Sequence, residues 1–230
     1  MKDFSLLEKK LKIKLKDQNL LKQAFVHRSY INENPEFELG HNERLEFLGD
    51  AVLELVVTEY LYNNYPNPEG ELTNWRASLV NAQMLAKLAG TLGLEDYLYL
   101  SRGEAKDKNS KARGYILANC YEALAGAIYL DGGYRPAKDF ITEFLLPELP
   151  YILAHQLYVD AKSKFQEMAQ DKMGVTPTYK VIKESGPDHD KKFEVGVYLD
   201  DDLIAQGIGS SKQEAQTDAA AQGLKEKGWE

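Results

Sequence analysis

No proline interrupts the chain between Glu43 and Tyr62, and Leu45, Leu48, Val52, Leu55, Val56 and Tyr60 return at three- and four-residue steps. That period predicts a long helix, with Asn42 as its N-cap. On it Glu43, Glu46 and Asp50 stand at i, i+3 and i+7, so three carboxylates share one stripe. Like charges at this spacing weaken a helix by roughly a few tenths of a kcal/mol each. A divalent cation would offset that repulsion; a solvated acidic face is the plain alternative. Gly49 lies inside the stripe and leaves room for a backbone or ligand to approach closely.

A second strong helix is predicted from Ile116 to Leu130, rich in alanine and glycine and therefore able to pack tightly on a neighbour. Asn119 and Glu122, three apart, face one way on it. Gly132-Gly133 stops it. Around these two helices the reading is helical throughout: residues 5–21, 20–30, 71–92 and 136–146, with breaks at the polar segment 32–40 and at Asn63–Gly70. Residues 105–114 form a polar loop with spaced lysines that can lie against phosphate. His27 reads as a structural histidine, Trp75 as packing, and Arg76 as either a partner of a site carboxylate or a surface arginine.

The character changes after Asp160. Residues 161–173 are helical. Then 178–183, 192–199 and 203–209 alternate with a period of two, and 211–227 is an alanine-rich helix. This order, α-β-β-β-α, predicts a small antiparallel sheet with helices on one face.

Composition fits an ordinary soluble globular protein, at 43% hydrophobic and 28% charged residues. The single cysteine, Cys120, excludes an internal disulfide and fits a reducing compartment, the cytoplasm. No apolar signal core or run long enough to span a membrane is present, so no membrane partner is expected. The net charge of −8 is unusual for a nucleic-acid binder, although a local basic patch can coexist with an acidic total.

The wording of several stretches goes further. Glu43-Arg44-Leu45-Glu46-Phe47-Leu48-Gly49-Asp50-Ala51-Val52-Leu53 resembles the signature of the ribonuclease III family. His27-Arg28-Ser29-Tyr30, Glu71-Leu72-Thr73, Arg76-Ala77-Ser78-Leu79-Val80-Asn81 and Leu98-Tyr99-Leu100-Ser101-Arg102-Gly103-Glu104 resemble further family segments in the family's order. Asp160-Ala161-Lys162-Ser163-Lys164-Phe165-Gln166-Glu167, Gly186-Pro187-Asp188-His189 and Ser210-Ser211-Lys212-Gln213-Glu214-Ala215, leading to Ala219-Ala220, resemble a double-stranded-RNA-binding domain.

This resemblance implies an all-α endonuclease domain over 1–148, a linker over 149–159, and a small α+β (α-β-β-β-α) RNA-binding domain over 160–230. It implies that the two long helices cross, bringing Glu46 and Asp50 to Asn119 and Glu122 as ligands of Mg²⁺, with Mn²⁺ able to substitute. Asp50 and Glu122 would be catalytic and Glu43 a supporting acid. The expected activity is hydrolysis of double-stranded RNA to 5′-phosphate and 3′-hydroxyl ends in RNA processing. Phe47 would plug a socket on a second copy, making a homodimer. Ser163, Gln166, Glu167, His189 and Lys212 would touch RNA through 2′-hydroxyls and phosphates.

Two positions depart from the family's pattern. Most of the family has aspartate where this chain has Asn119. One unit charge at ~4 Å and an effective dielectric of ~20 is worth about 4 kcal/mol before desolvation. Asp131 lies too far along the helix to replace it. Asn119 is then either a lineage variant that still works with Glu46, Asp50 and Glu122 or an engineered change that slows cleavage; a catalytically weakened binder of double-stranded RNA is the alternative to an active Mg²⁺-dependent endoribonuclease. The last helix also opens Lys212-Gln213-Glu214 where the family usually has two or three basic residues. Residues 160–230 carry 10 basic and 14 acidic side chains, which predicts weak, salt-sensitive binding.

Overall fold

The computed structural model describes residues 2–107, 110–158, 160–187 and 191–229. The chain divides into two units, Met1–Tyr158 and Val159–Glu230. The first is helical: α1 (Ser5–Leu11), α2 (Gln18–Ala24), α3 (Arg28–Glu33), α4 (Glu43–Asn64), α5 (Glu69–Leu79), α6 (Ala82–Thr91), α7 (Arg102–Lys106), α8 (Lys111–Gly132), α9 (Tyr134–Phe144) and α10 (Leu149–Ala154).

α8 is the axis of this unit. Ile116, Leu117, Ala118, Cys120, Tyr121, Ala123, Leu124, Ala125 and Ala127 are all buried, so apolar side chains cover nearly its whole circumference, as a helix enclosed by others requires. α4 packs along it through Leu45, Val52, Leu53, Val56 and Val57. Glu59 on α4 accepts from Tyr134, and from Lys138 Nζ at 2.8 Å, which ties α9 to α4. Among the described residues no helix is long and apolar enough to cross a membrane.

Several boundaries differ from the sequence reading. The polar loop expected over 105–114 is partly helix: Ser110 accepts from the Arg113 N–H at 3.1 Å and starts α8 at Lys111 rather than at Ile116. The helix expected over residues 5–21 is two helices, because Lys12 adopts a left-handed backbone (φ 54°) and closes α1. Asp17 then caps α2, accepting from the backbone N–H of Asn19 at 2.8 Å. The helix expected over 71–92 breaks at Val80. Asn81 accepts from the Met84 N–H at 2.9 Å and starts α6 anew. The linker expected from residue 149 begins as α10, with Leu149 and Ile152 buried one turn apart. Pro150 sits in its first turn, where a missing N–H costs nothing, and so starts a helix rather than ending one. Asn42 precedes α4 without capping it. Its buried amide instead donates to the Ala24 carbonyl at 3.1 Å.

The second unit runs α11 (Ala161–Met173), β1 (Thr178–Ser185), β2 (Lys192–Leu199), β3 (Asp202–Gly209) and α12 (Lys212–Lys227). The strands form one antiparallel sheet in the order β1-β2-β3, with Val181 opposite Val195 and Val195 opposite Gly207. Phe165 and Ala169 of α11, Val197 and Leu199 of β2, and Ala219, Ala220 and Leu224 of α12 share its core. α12 lies directly on β3. A methyl group at Gly207 would sit 2.1 Å from the Ala219 nitrogen, so only glycine permits this approach.

Candidate functional site

The central helices of the first unit cross backbone to backbone. A β-carbon on Gly49 would fall 1.8 Å from the Glu122 carbonyl oxygen, and one on Gly126 would fall 2.3 Å from the Leu45 carbonyl oxygen. Each helix thus offers a bare position to the other's main chain. Glu46 and Asp50 flank Gly49 on α4, and Glu122 lies one turn before Gly126 on α8, with Asn119 one turn earlier. The crossing therefore gathers three acids and one amide.

Their electrostatics show the proximity. Burial pushes the Glu46 carboxyl above its usual range, repulsion from Glu43 and Asp50 adds to this, and hydrogen bonding from the Asn119 amide opposes it. Glu122 is pushed up to about 7, first by burial and then by Asp50 and Glu46. Asp50 itself is exposed.

In the second unit, Ser163, Gln166 and Glu167 are exposed on the face of α11 opposite buried Phe165 and Ala169. Ser163 is anchored to the cap of its helix, its hydroxyl donating to Asp160 Oδ2 at 2.8 Å. Lys212 opens α12 with its Nζ 3.1 Å from Glu184 Oε1. His189 lies outside the described residues.

A family model described as Ribonuclease-III-like matches residues 17–149, and one described as a double-stranded RNA binding motif matches residues 161–227. Ribonuclease 3 of Nitratiruptor sp. is 43% identical over 226 residues, covering 98% of this chain and 97% of that protein. The chain belongs to the ribonuclease III family. Ribonuclease 3 of Enterococcus faecalis is likewise 43% identical, over 95% of each chain. The crystal structure of the nuclease domain of ribonuclease III from Campylobacter jejuni superposes with a TM-score of 0.57 at 40% identity, covering 65% of this chain and 98% of that one. Another structure of that domain, with a TM-score of 0.57 and 39% identity, concerns structural flexibility in a region involved in its dimer formation. The two-part architecture of bacterial ribonuclease III, helical nuclease domain followed by RNA-binding domain, is therefore this chain's own.

Membership of the ribonuclease III family does not carry the family's metal chemistry with it. Among the described residues, no group of three or more His, Cys, Asp or Glu side chains is placed to hold a metal ion. The expected Mg²⁺ or Mn²⁺ site on Glu46, Asp50, Asn119 and Glu122 is thereby overturned, and with it the reading of a fully active Mg²⁺-dependent endoribonuclease. The physical reasons are local. Magnesium demands near-ideal octahedral placement of its oxygen ligands. Asn119 supplies an amide where the family has a carboxylate, and that amide hydrogen-bonds Glu46. Glu43 is turned toward other side chains, 3.8 Å from Arg28 Nη1 and 3.6 Å from His41 Nδ1. Asn42, just before α4, is likewise an amide, and it is engaged with Ala24.

Other candidates in this ribonuclease III fold have plain structural duties. His27 Nδ1 accepts from the Ser29 N–H at 3.3 Å and caps α3. Arg76 donates to Thr58 Oγ1 at 2.9 Å, away from the acids. Trp75 is buried edge-on against Tyr65 and Tyr158. Phe47 points outward from α4 at 82% exposure, and Leu55 and Tyr62 are exposed further along the same helix. Sequence reasoning missed Arg113, which is buried at the start of α8. Its Nη2 donates to the Glu104 carbonyl at 3.1 Å and its Nε lies 3.4 Å from Glu95 Oε1. Its place in a polar, lysine-dotted stretch offered no signal of burial.

Proposed function

We propose that this chain is a double-stranded-RNA-binding member of the ribonuclease III family whose cleavage is weakened. One observation carries the reading: at the crossing of α4 and α8 an amide, Asn119, stands among Glu46, Asp50 and Glu122. The RNA-binding face is retained. Ser163, Gln166 and Glu167 present hydrogen-bonding groups on one exposed side of α11, suited to 2′-hydroxyls of an A-form minor groove. Lys212 adds positive charge for phosphate at the start of α12.

The same reading includes a homodimer. Phe47, Leu55 and Tyr62 leave a run of large apolar side chains uncovered along α4, an arrangement that marks an association surface. A region of the related Campylobacter jejuni nuclease domain takes part in dimer formation. The lone thiol of Cys120 is buried and held far from ionisation by desolvation, in keeping with a reducing cytoplasm.

The test is incubation of the full chain with a long perfect RNA duplex, with a divalent ion and with chelator. The expected result is a duplex shifted in a native gel under both conditions and barely shortened under either. Rapid, chelator-sensitive cutting would overturn weakened catalysis. Absence of any shift at low salt would overturn RNA binding and leave an acidic interaction module.

A further inference from the structure

Glu184 stands near the end of β1, directly across the ladder from Phe193 of β2. Its two carboxylate oxygens hold two different lysines. Oε1 lies 3.1 Å from Lys212 Nζ and Oε2 lies 3.3 Å from Lys191 Nζ. Both ammonium groups also rest over the same ring, that of Phe193, at 5.6 Å for Lys212 and 5.8 Å for Lys191. The result is a seat of two cations with an aromatic floor, filled by a carboxylate. Exposed ion pairs of this kind contribute little to stability. Their effect on an incoming anion is larger, because a ligand phosphate meets a local charge of one rather than two.

We infer that Glu184 is a built-in stand-in for phosphate: in the free protein its carboxylate occupies the seat between Lys191 and Lys212 that a phosphate of the duplex backbone takes on binding. The inference rests on the RNA-binding reading above. A carboxylate's two oxygens and two non-bridging phosphate oxygens are alike in spacing and in charge, so one replaces the other without moving either lysine far. Binding then exchanges one anion for another, and the domain gains less from these two lysines than their number implies. The seat assigns a phosphate contact to Lys191, and it makes Glu184 the residue that sets how strongly the domain grips RNA.

The experiment measures affinity of the full chain for a perfect RNA duplex across a salt series, comparing the parent with Glu184→Gln, Lys191→Gln and the double variant. Glu184→Gln is expected to bind severalfold tighter, with the slope of log K against log salt steeper by about 1. Lys191→Gln is expected to remove that gain when added to Glu184→Gln. A parent that shifts the duplex alongside a Glu184→Gln variant of equal affinity and slope overturns the stand-in and leaves RNA binding intact. A gain that survives Lys191→Gln overturns the two-lysine seat. A parent that fails to shift the duplex at low salt removes both readings together.

Discussion

The α-carbon of Gly49 faces the main-chain oxygen of Glu122 so closely that a single added methyl group would lie 1.8 Å from it. Gly126 repeats the arrangement in reverse against Leu45. Neither obstacle is a flexible side chain, so the helices themselves would have to part. Gly49→Ala and Gly126→Ala are each expected to destabilise the first unit by about 3 kcal/mol, the upper end for overpacking. Gly114→Ala on α8, which meets nothing within 4 Å, is expected to stabilise by roughly 0.5–1 kcal/mol through helix propensity. Urea denaturation of the three variants measures this, and equal midpoints would dismiss the tight crossing.

Restoring the family's acid is the direct trial of weakened cleavage. Asn119→Asp returns a full negative charge beside Glu46 and Glu122, where the amide now donates a hydrogen bond. Chelator-sensitive cutting of a long duplex should accelerate at least tenfold at limiting divalent ion, equivalent to about 1.4 kcal/mol of barrier. Identical initial rates for parent and variant throughout a divalent-ion titration would show that residue 119 is not what limits turnover.

The Glu122 carboxyl should subtract stability as pH rises from about 4.5 to 7. The Glu122 carboxyl ionises near its ordinary value of 4.5 in the unfolded chain and at about 7 in the folded one. Below roughly pH 4.5 both states hold the proton and nothing is lost. Between there and about 7 the unfolded chain has already released it while the fold retains it, so folding weakens progressively; above 7 the loss is complete. After discounting for the partial exposure of this carboxyl, the change is on the order of 2 kcal/mol. Glu46 shifts in the same direction. The drop in denaturant midpoint from pH 5 to pH 8 should be smaller in Glu122→Gln than in the parent; an equal change in that variant would locate the effect elsewhere.

Phe47→Asp tests the association surface. At 82% exposure the ring contributes little to the fold of its own chain, and the substitution should alter stability by no more than about 0.5 kcal/mol. Sedimentation should nevertheless report half the parent's mass. A parent that already sediments as a single chain would end the proposal.

α4 was legible because it repeats apolar residues at helical spacing over several turns, α8 and α12 because they are long runs rich in alanine, and the strands because they alternate. Gly49 and the small residues of α8 each allowed a close approach, but that these two helices meet was implied only by the family resemblance. The breaks at Lys12 and Asn81 were not legible, since apolar spacing carries straight across both. The first rests on one left-handed backbone and the second on one side-chain cap. At the site, the stripe of acids on α4 was visible, but its partition was not. Glu43 is drawn off by Arg28 from another helix and by His41, and no local pattern announces partners chosen across the fold. Lys212 was readable as a cation; that Glu184 already holds it was hidden by a separation of 28 positions along the chain.

Because bare main chain sets the distance between α4 and α8, the scaffold is indifferent to which polar head group stands beside the contact. A change of head group at residue 119 would alter the charge at the crossing without altering how close the two helices lie. Charge and spacing at this crossing are thus set by different atoms.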